Sequence, residues 1–229
     1  MSSWISAEIQ EVNTLSDTIV QVLLQPHTYI PYQAGQYLQI KTQNFKNYFS
    51  IANAPLGSHH YELHIRHDNN NPSSIELLEA MKKQGQLEIQ LPFGRCHLES
   101  FSAERNLIFI AGGTGFAPIK AMIEQLLFNQ DPRSFSCFWG AKSQNDLYCE
   151  SLLTDWKKHV KNFQALKLYA GKKSYNMSND FLNAYGEQLK NLQIILSGPF
   201  DMVFEYRNQL LAHGLSKEFI FSDAFEFEQ

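Results

Sequence analysis

The sequence predicts two units of different architecture, an antiparallel β-barrel over residues 1–102 and an α/β unit with a parallel sheet over residues 103–229. Three observations carry this. Residues 7–91 hold many short alternating apolar runs with turns at close intervals and a single helical pattern, as a small barrel requires. From Asn106 onward apolar strands alternate with helices, which implies a parallel sheet covered on both faces. Glu99 to Arg105 is a polar stretch and marks the boundary.

In the first unit, Ala7, Ile9 and Val12, then Ile19, Val20, Val22 and Leu24, read with period two around a turn near Asn13 to Asp17. Further strands are expected at Ala34–Ile40, Tyr48–Ala52, Tyr61–Arg66 and Leu87–Leu91, with Pro92–Gly94 as a turn. Asn69 to Pro72 ends the Tyr61–Arg66 run. A helix over Ile75–Lys83 follows, capped by Ser73 or Ser74 and ended by Gly85.

In the second unit the stretch from Asn106 to Pro118 is the organising segment. Leu107–Ala111 is a continuous apolar run, typical of a strand buried on both faces. Gly112, Gly113 and Gly115 punctuate it, and Ile119, Met122, Ile123, Leu126 and Leu127 then recur at helical spacing. A strand, glycine turn and helix in that order aim free N–H groups and the positive end of a helix dipole at one point, which suits a phosphate. The pattern is neither G-x-G-x-x-G nor a P-loop, and a ligand-free turn is the alternative for this segment taken alone. Strands at 135–139, 163–169, 193–196 and 219–221 alternate with helices at 146–158, near 178–189 and at 199–213. Trp139-Gly140 and Ser197-Gly198-Pro199 also fall at carboxyl ends of strands, where open parallel sheets bind ligands.

Composition sets bounds. The 229 residues suffice for two ordinary domains, and 44% hydrophobic residues suffice to fill their cores. A net charge of −4 with no basic run argues against nucleic acid as a partner. Cys96, Cys137 and Cys149 are widely spaced, lack a C-x-x-C pair and cannot alone ligate an iron–sulfur cluster, so reduced thiols in the cytoplasm are expected. The eight histidines form no His-x-x-x-His pair, and no metal site is expected. No secretory leader and no membrane span is read from the chain.

Taken in order, several segments resemble the ferredoxin–NADP reductase superfamily, and within it the NAD(P)H-flavin reductases. They are Ala34–Tyr37, Tyr48–Ala52, Leu63–Ile65, Pro92–Gly94, Gly112–Pro118, Phe138–Gly140, Ser197–Pro199 and Asp223–Phe225. The resemblance implies a Greek-key flavin-binding barrel, then a nicotinamide-dinucleotide domain, with chemistry in a cleft between them. It places Tyr37, Asn47, Tyr48, Phe49, Ser50, His64, Ile65 and Arg66 on the flavin side. Phe49 would lie against the isoalloxazine ring and Ser50 would hydrogen-bond near N5, where a donor stabilises charge developing in the ring. A strand serine bonded to backbone is the alternative for Ser50, and His64 is read mainly as a strand residue. Gly112, Gly113, Thr114 and Gly115 would hold the dinucleotide pyrophosphate. Trp139, Gly140, Ser197, Gly198 and Pro199 would line its groove, and Asp223 and Phe225 would approach the nicotinamide or flavin. Core packing is the alternative for Phe225.

Departures from the family pattern bear on affinity. The arginine that holds the flavin phosphate in relatives is replaced by Asn47, with Lys46 and Arg66 as candidate substitutes. Asn69–Ser74 stands where tightly binding relatives carry a glycine-containing loop. The expectation is therefore hydride transfer from the C4 of NADH or NADPH to the N5 of an exchangeable flavin (FMN, FAD or riboflavin), which leaves reduced. The acceptor of its electrons would be a flavin-using oxygenase or another separate partner. A reductase with resident FAD that serves a protein acceptor is the nearer alternative, and a non-catalytic dinucleotide-binding subunit the more distant one. Lys142 lies where a 2′-phosphate could be met, although a solvated lysine is the plainer reading.

Overall fold

The computed structural model describes residues 3–169, Phe181 and 185–228. Residues up to Leu98 together with Ala117–Asn129 form one compact unit; Glu99–Phe116 together with the chain from Gln130 form the other.

The first unit is an antiparallel sheet of six strands: β1 (Ile5–Ser16), β2 (Ile19–Pro26), β3 (Tyr37–Lys41), β4 (Lys46–Ser50), β5 (Tyr61–Arg66) and β6 (Gln86–Phe93). Their order is β4-β3-β6-β1-β2-β5. The edges meet where Ile51, just beyond β4, pairs with Leu63 of β5, and the Ala52 N–H donates to the Glu62 carbonyl at 2.7 Å. A closed barrel leaves no free edge. Its interior is filled by Val22, Leu24, Leu38, Ile40, Leu63, Ile65 and Ile89, joined by Leu77 and Met81 of helix α1 (Pro72–Gln84).

Three local expectations are corrected here. The first hairpin turns at Asp17 and Thr18, because β1 runs on through Ser16; irregularities at Ile9/Glu11 and Thr14/Ser16 break its alternation and imitate an earlier turn. Helix α1 is capped by Asn71, whose side chain accepts from the Ser73 N–H at 3.0 Å, with Pro72 in the first helical position. Pro92 and Phe93 lie in β6 and not in a turn, because a register shift opposite Tyr37–Gln39 absorbs the missing proline N–H.

The second unit is a parallel sheet with five strands among the described residues: β7 (Asn106–Gly112), β8 (Phe135–Ala141), β9 (Phe163–Tyr169), β10 (Leu192–Ser197) and β11 (Ile220–Phe221). The order is β11-β10-β7-β8-β9. Chain order reverses between β7 and β10, so the loops leaving these two strands flank the switch point. One face packs Ile108, Ile110, Ile194 and Leu196 against Met202, Val203, Tyr206 and Leu210 of α4 (Phe200–Ala212). On the other, Trp156 of α3 (Glu150–His159) meets Phe163 with ring centroids 6.0 Å apart. The expected helix over 146–158 begins later, at Glu150, after a 3-10 turn over Gln144–Asp146. The helix expected near 178–189 falls largely outside the described residues; Gly186–Asn191 is a 3-10 helix.

The antiparallel barrel followed by a parallel α/β unit is the fold class that the sequence predicts. Helix α2 (Phe116–Phe128) follows the glycine loop, yet from Ala117 on it groups with the barrel. Among the described residues no helix is long and apolar enough to cross a membrane.

Candidate functional site

In the barrel unit the sequence places Lys46, Tyr48 and Ser50 on one side of β4 and Asn47 and Phe49 on the other. Phe49 leans on the barrel core, whereas Tyr48 is 50% exposed. Tyr48 meets Tyr37 edge-on at 5.5 Å and Phe93 edge-on at 5.9 Å, and Tyr37 stacks on Phe93 at 5.7 Å. Tyr37 is the cross-strand partner of Ser50. Half-buried Ser50 thus shares its side of β4 with Tyr48 and pairs across to Tyr37, which stacks on Phe93.

Asn47 accepts a hydrogen bond from the Ser73 hydroxyl at 2.7 Å, at the N-terminus of α1, while its buried Nδ2 has no partner. An orphan donor beside a helix N-terminus fits an anionic group. Of the two candidate substitutes for the family arginine, Lys46 stands 5.6 Å over the Trp4 ring, and Arg66 reaches the Thr18 hydroxyl at 3.4 Å. Ile65 is a barrel-core side chain.

His64 is more than a strand residue. Its buried ring bonds through Nε2 to Glu62 Oε1 at 2.8 Å, and Gln21 donates to the same oxygen at 2.8 Å. Lys120 of α2 meets Glu62 Oε2 at 3.2 Å, Glu124 at 2.7 Å and the Ala52 carbonyl at 3.0 Å. Burial would raise the Glu62 pKa, but the His64 hydrogen bond and the Lys120 charge overcome it and hold the carboxyl at about 2. Burial likewise disfavours the Lys120 charge, and Glu62 and Glu124 more than offset it, so its pKa is raised. Sequence reasoning missed this cluster because alternation puts Glu62, His64 and Arg66 on one side of a strand without saying what covers that side. The available signal was a Lys120/Glu124 pair at helical spacing inside a helix that is otherwise apolar except for Gln125.

In the α/β unit the glycine loop and the turn after β10 are brought together. A methyl group on Gly115 would strike the Ser197 carbonyl and lie 2.6 Å from the Gly198 nitrogen. Gly198 has φ of +150°, and a methyl there would lie 3.0 Å from the Gly112 Cα. Glycine alone permits this backbone contact. Thr114 and Gly115 close a single 3-10 turn that runs straight into α2, so the helix N-terminus follows the loop. Trp139 is fully buried, which places it beneath the loop and not on a groove wall: its indole N–H donates to the Gly113 carbonyl at 2.9 Å and its ring stacks on Phe116 at 4.0 Å. Gly140 is half-buried and pairs with Gly112 across β7 and β8.

Asp223 opens the terminal 3-10 helix. Phe225 within it packs on Phe204 at 6.0 Å, with the Arg207 guanidinium 5.3 Å from its ring. Lys142 is exposed.

A closed barrel with an anion-suited helix end, then a parallel sheet whose glycine loop sits at the switch point, define the two-domain class of ferredoxin-reductase-like proteins. Residues 109–208 match the oxidoreductase NAD-binding domain family. The CDP-6-deoxy-L-threo-D-glycero-4-hexulose-3-dehydrase reductase of Yersinia pestis is 33% identical over 214 residues, covering 90% of this chain and 64% of that protein. The NAD(P)H-flavin reductase of Vibrio harveyi is 29% identical over 240 residues, covering 97% of this chain and 99% of that protein. The Amycolatopsis cytochrome P450 reductase GcoB has the same fold, with a TM-score of 0.83 at 20% identity over 96% of this chain and 69% of that one. The chain has the ferredoxin-reductase-like fold and resembles the NAD(P)H-flavin reductases of the ferredoxin–NADP reductase superfamily. It spans about two thirds of the length of the Yersinia relative.

Proposed function

We propose that this chain is a cytoplasmic NAD(P)H-dependent flavin reductase that takes flavin as an exchangeable substrate. The observation that carries the exchangeable mode is Asn47: a neutral amide with one unpartnered donor stands where the family pattern has an arginine. One neutral donor and a helix N-terminus hold a phosphate less tightly than a guanidinium fork. When bound, the nicotinamide supplies a hydride and the flavin ring accepts it at N5.

The chain's own residues supply positioning. Gly112, Gly113, Thr114 and Gly115 present main-chain N–H groups to the pyrophosphate, and Ser197, Gly198 and Pro199 close the loop from the β10 side. Tyr48, flanked by Tyr37 and Phe93, offers an aromatic face to the flavin ring on the side of β4 that carries Ser50. The Ser50 hydroxyl donates toward N5. Phe49 supports that strand from within the barrel.

The test is oxidation of NADH and of NADPH with riboflavin, FMN and FAD in turn, together with gel filtration of the purified protein. Turnover with added flavin and a colourless eluate are expected. A second reading, resident FAD with electrons passed to a separate protein acceptor, is favoured by the names of the Yersinia and Amycolatopsis relatives. Stoichiometric FAD retained through the column decides for it, and absence of any flavin-dependent turnover removes both.

A further inference from the structure

We infer that Lys120 is a positioning residue for Ser50, acting through the main chain of residues 51–54. The inference rests on the reading of Ser50 as the donor to the flavin ring. Ser50 is the last residue of β4; beyond it the Ile51 N–H donates to the Gln36 carbonyl at 3.0 Å and the Ala52 N–H to the Glu62 carbonyl at 2.7 Å. Side chains supply the further contacts of this segment. The Ala52 carbonyl accepts from Lys120 Nζ at 3.0 Å, and the Ala54 N–H donates to Glu124 at 3.1 Å. The Asn53 side-chain oxygen accepts from the Glu62 N–H at 2.8 Å, and the Asn53 carbonyl accepts from the Tyr32 hydroxyl at 2.8 Å.

Lys120 is the common element. The same ammonium that holds Ala52 also meets both carboxylates, Glu62 at 3.2 Å and Glu124 at 2.7 Å. All of these groups lie within the barrel unit, to which α2 belongs from Ala117 on. Lys120 is only 8% exposed and Glu62 likewise 8%. Burying such charges is a poor way to gain stability, since apolar replacements of similar volume do as well or better. What this arrangement provides is a fixed main-chain path immediately after Ser50. Without the ammonium, the buried Glu62 and the half-buried Glu124 lose their shared counter-charge and the Ala52 carbonyl loses its donor. The Ser50 hydroxyl, two residues upstream, then loses its fixed direction. Small misplacements of a positioned group carry large rate penalties.

The test is a double-mutant cycle on single-turnover flavin reduction, using Lys120→Met, Ser50→Ala and the pair. Lys120→Met is expected to slow reduction several-fold, by no more than Ser50→Ala does, with the KM for the nicotinamide nearly unchanged. Ser50→Ala should cost several-fold alone and almost nothing on top of Lys120→Met, because residues that act as a unit are not additive. Two losses that multiply, or an unaltered rate in Lys120→Met, overturn the inference alone. An unaltered rate in Ser50→Ala alone overturns the reading of Ser50 and this inference with it. If Lys120→Met does not fold, Glu124→Gln takes its place: it frees one carboxylate contact and should shrink the Ser50-dependent part of the rate, and an undiminished Ser50 effect refutes the proposal.

Discussion

The buried indole N–H of Trp139 donates to the main-chain carbonyl of Gly113 at 2.9 Å, fastening the glycine loop from below. Trp139→Phe keeps the stack on Phe116 and removes only this bond. A net cost of about 1 kcal/mol is expected, seen as a roughly fivefold higher KM for the nicotinamide. Flavin affinity should not change, and an unmoved KM in steady-state assays contradicts the role.

Gly115→Ala drives a methyl group into the Ser197 carbonyl, where neither backbone can yield. Overpacking of this kind costs about 1–3 kcal/mol. Thermal unfolding should report that loss, and nicotinamide binding by calorimetry should weaken more than flavin binding does.

Asn47→Arg restores a cation beside the α1 N-terminus. Titration should show FMN binding tightened by roughly tenfold, as one charged hydrogen bond provides. Riboflavin has no phosphate, so its affinity should stay as it is. An equal gain for both ligands places the phosphate elsewhere.

Ionisation of Glu62 stabilises the fold in a defined pH window. Its pKa is depressed from 4.5 to about 2, so the contribution is complete above pH 4.5 and is lost as pH falls toward about 2. Glu62→Gln should destabilise the protein at neutral pH by at most about 3–5 kcal/mol, Glu124 remaining as a partner for Lys120. Urea unfolding should show the gap between native and variant narrowing as the solution is acidified through this range. A constant gap rules out the assignment.

The sequence displayed these features unequally. Period-two runs, glycine-ended strands and alternating helices made both architectures legible, since each follows from local spacing. The loop at Gly112–Gly115 was legible for the same reason. Trp139 was not, because the residue pattern says that it sits at a strand end but not which way its indole faces. Glu62, His64 and Lys120 were hidden by a different cause. Alternation marks one side of β5 as polar, and only the docking of α2 turns that side inward. The hairpin at Asp17 and the cap at Asn71 were displaced by bulges and by a side chain that competes for the first helical turn.

The parallel pairing of Asn106–Ala111 with Leu192–Ser197 joins stretches separated by most of the second unit. A nascent chain that has emerged only through β9 already possesses its glycine turn, yet has nothing for Gly115 to rest against. On the proposed reading of this loop, nucleotide capture therefore waits for β10 to emerge, and retention on an immobilised nucleotide reports completed assembly of this sheet, not formation of the turn by itself.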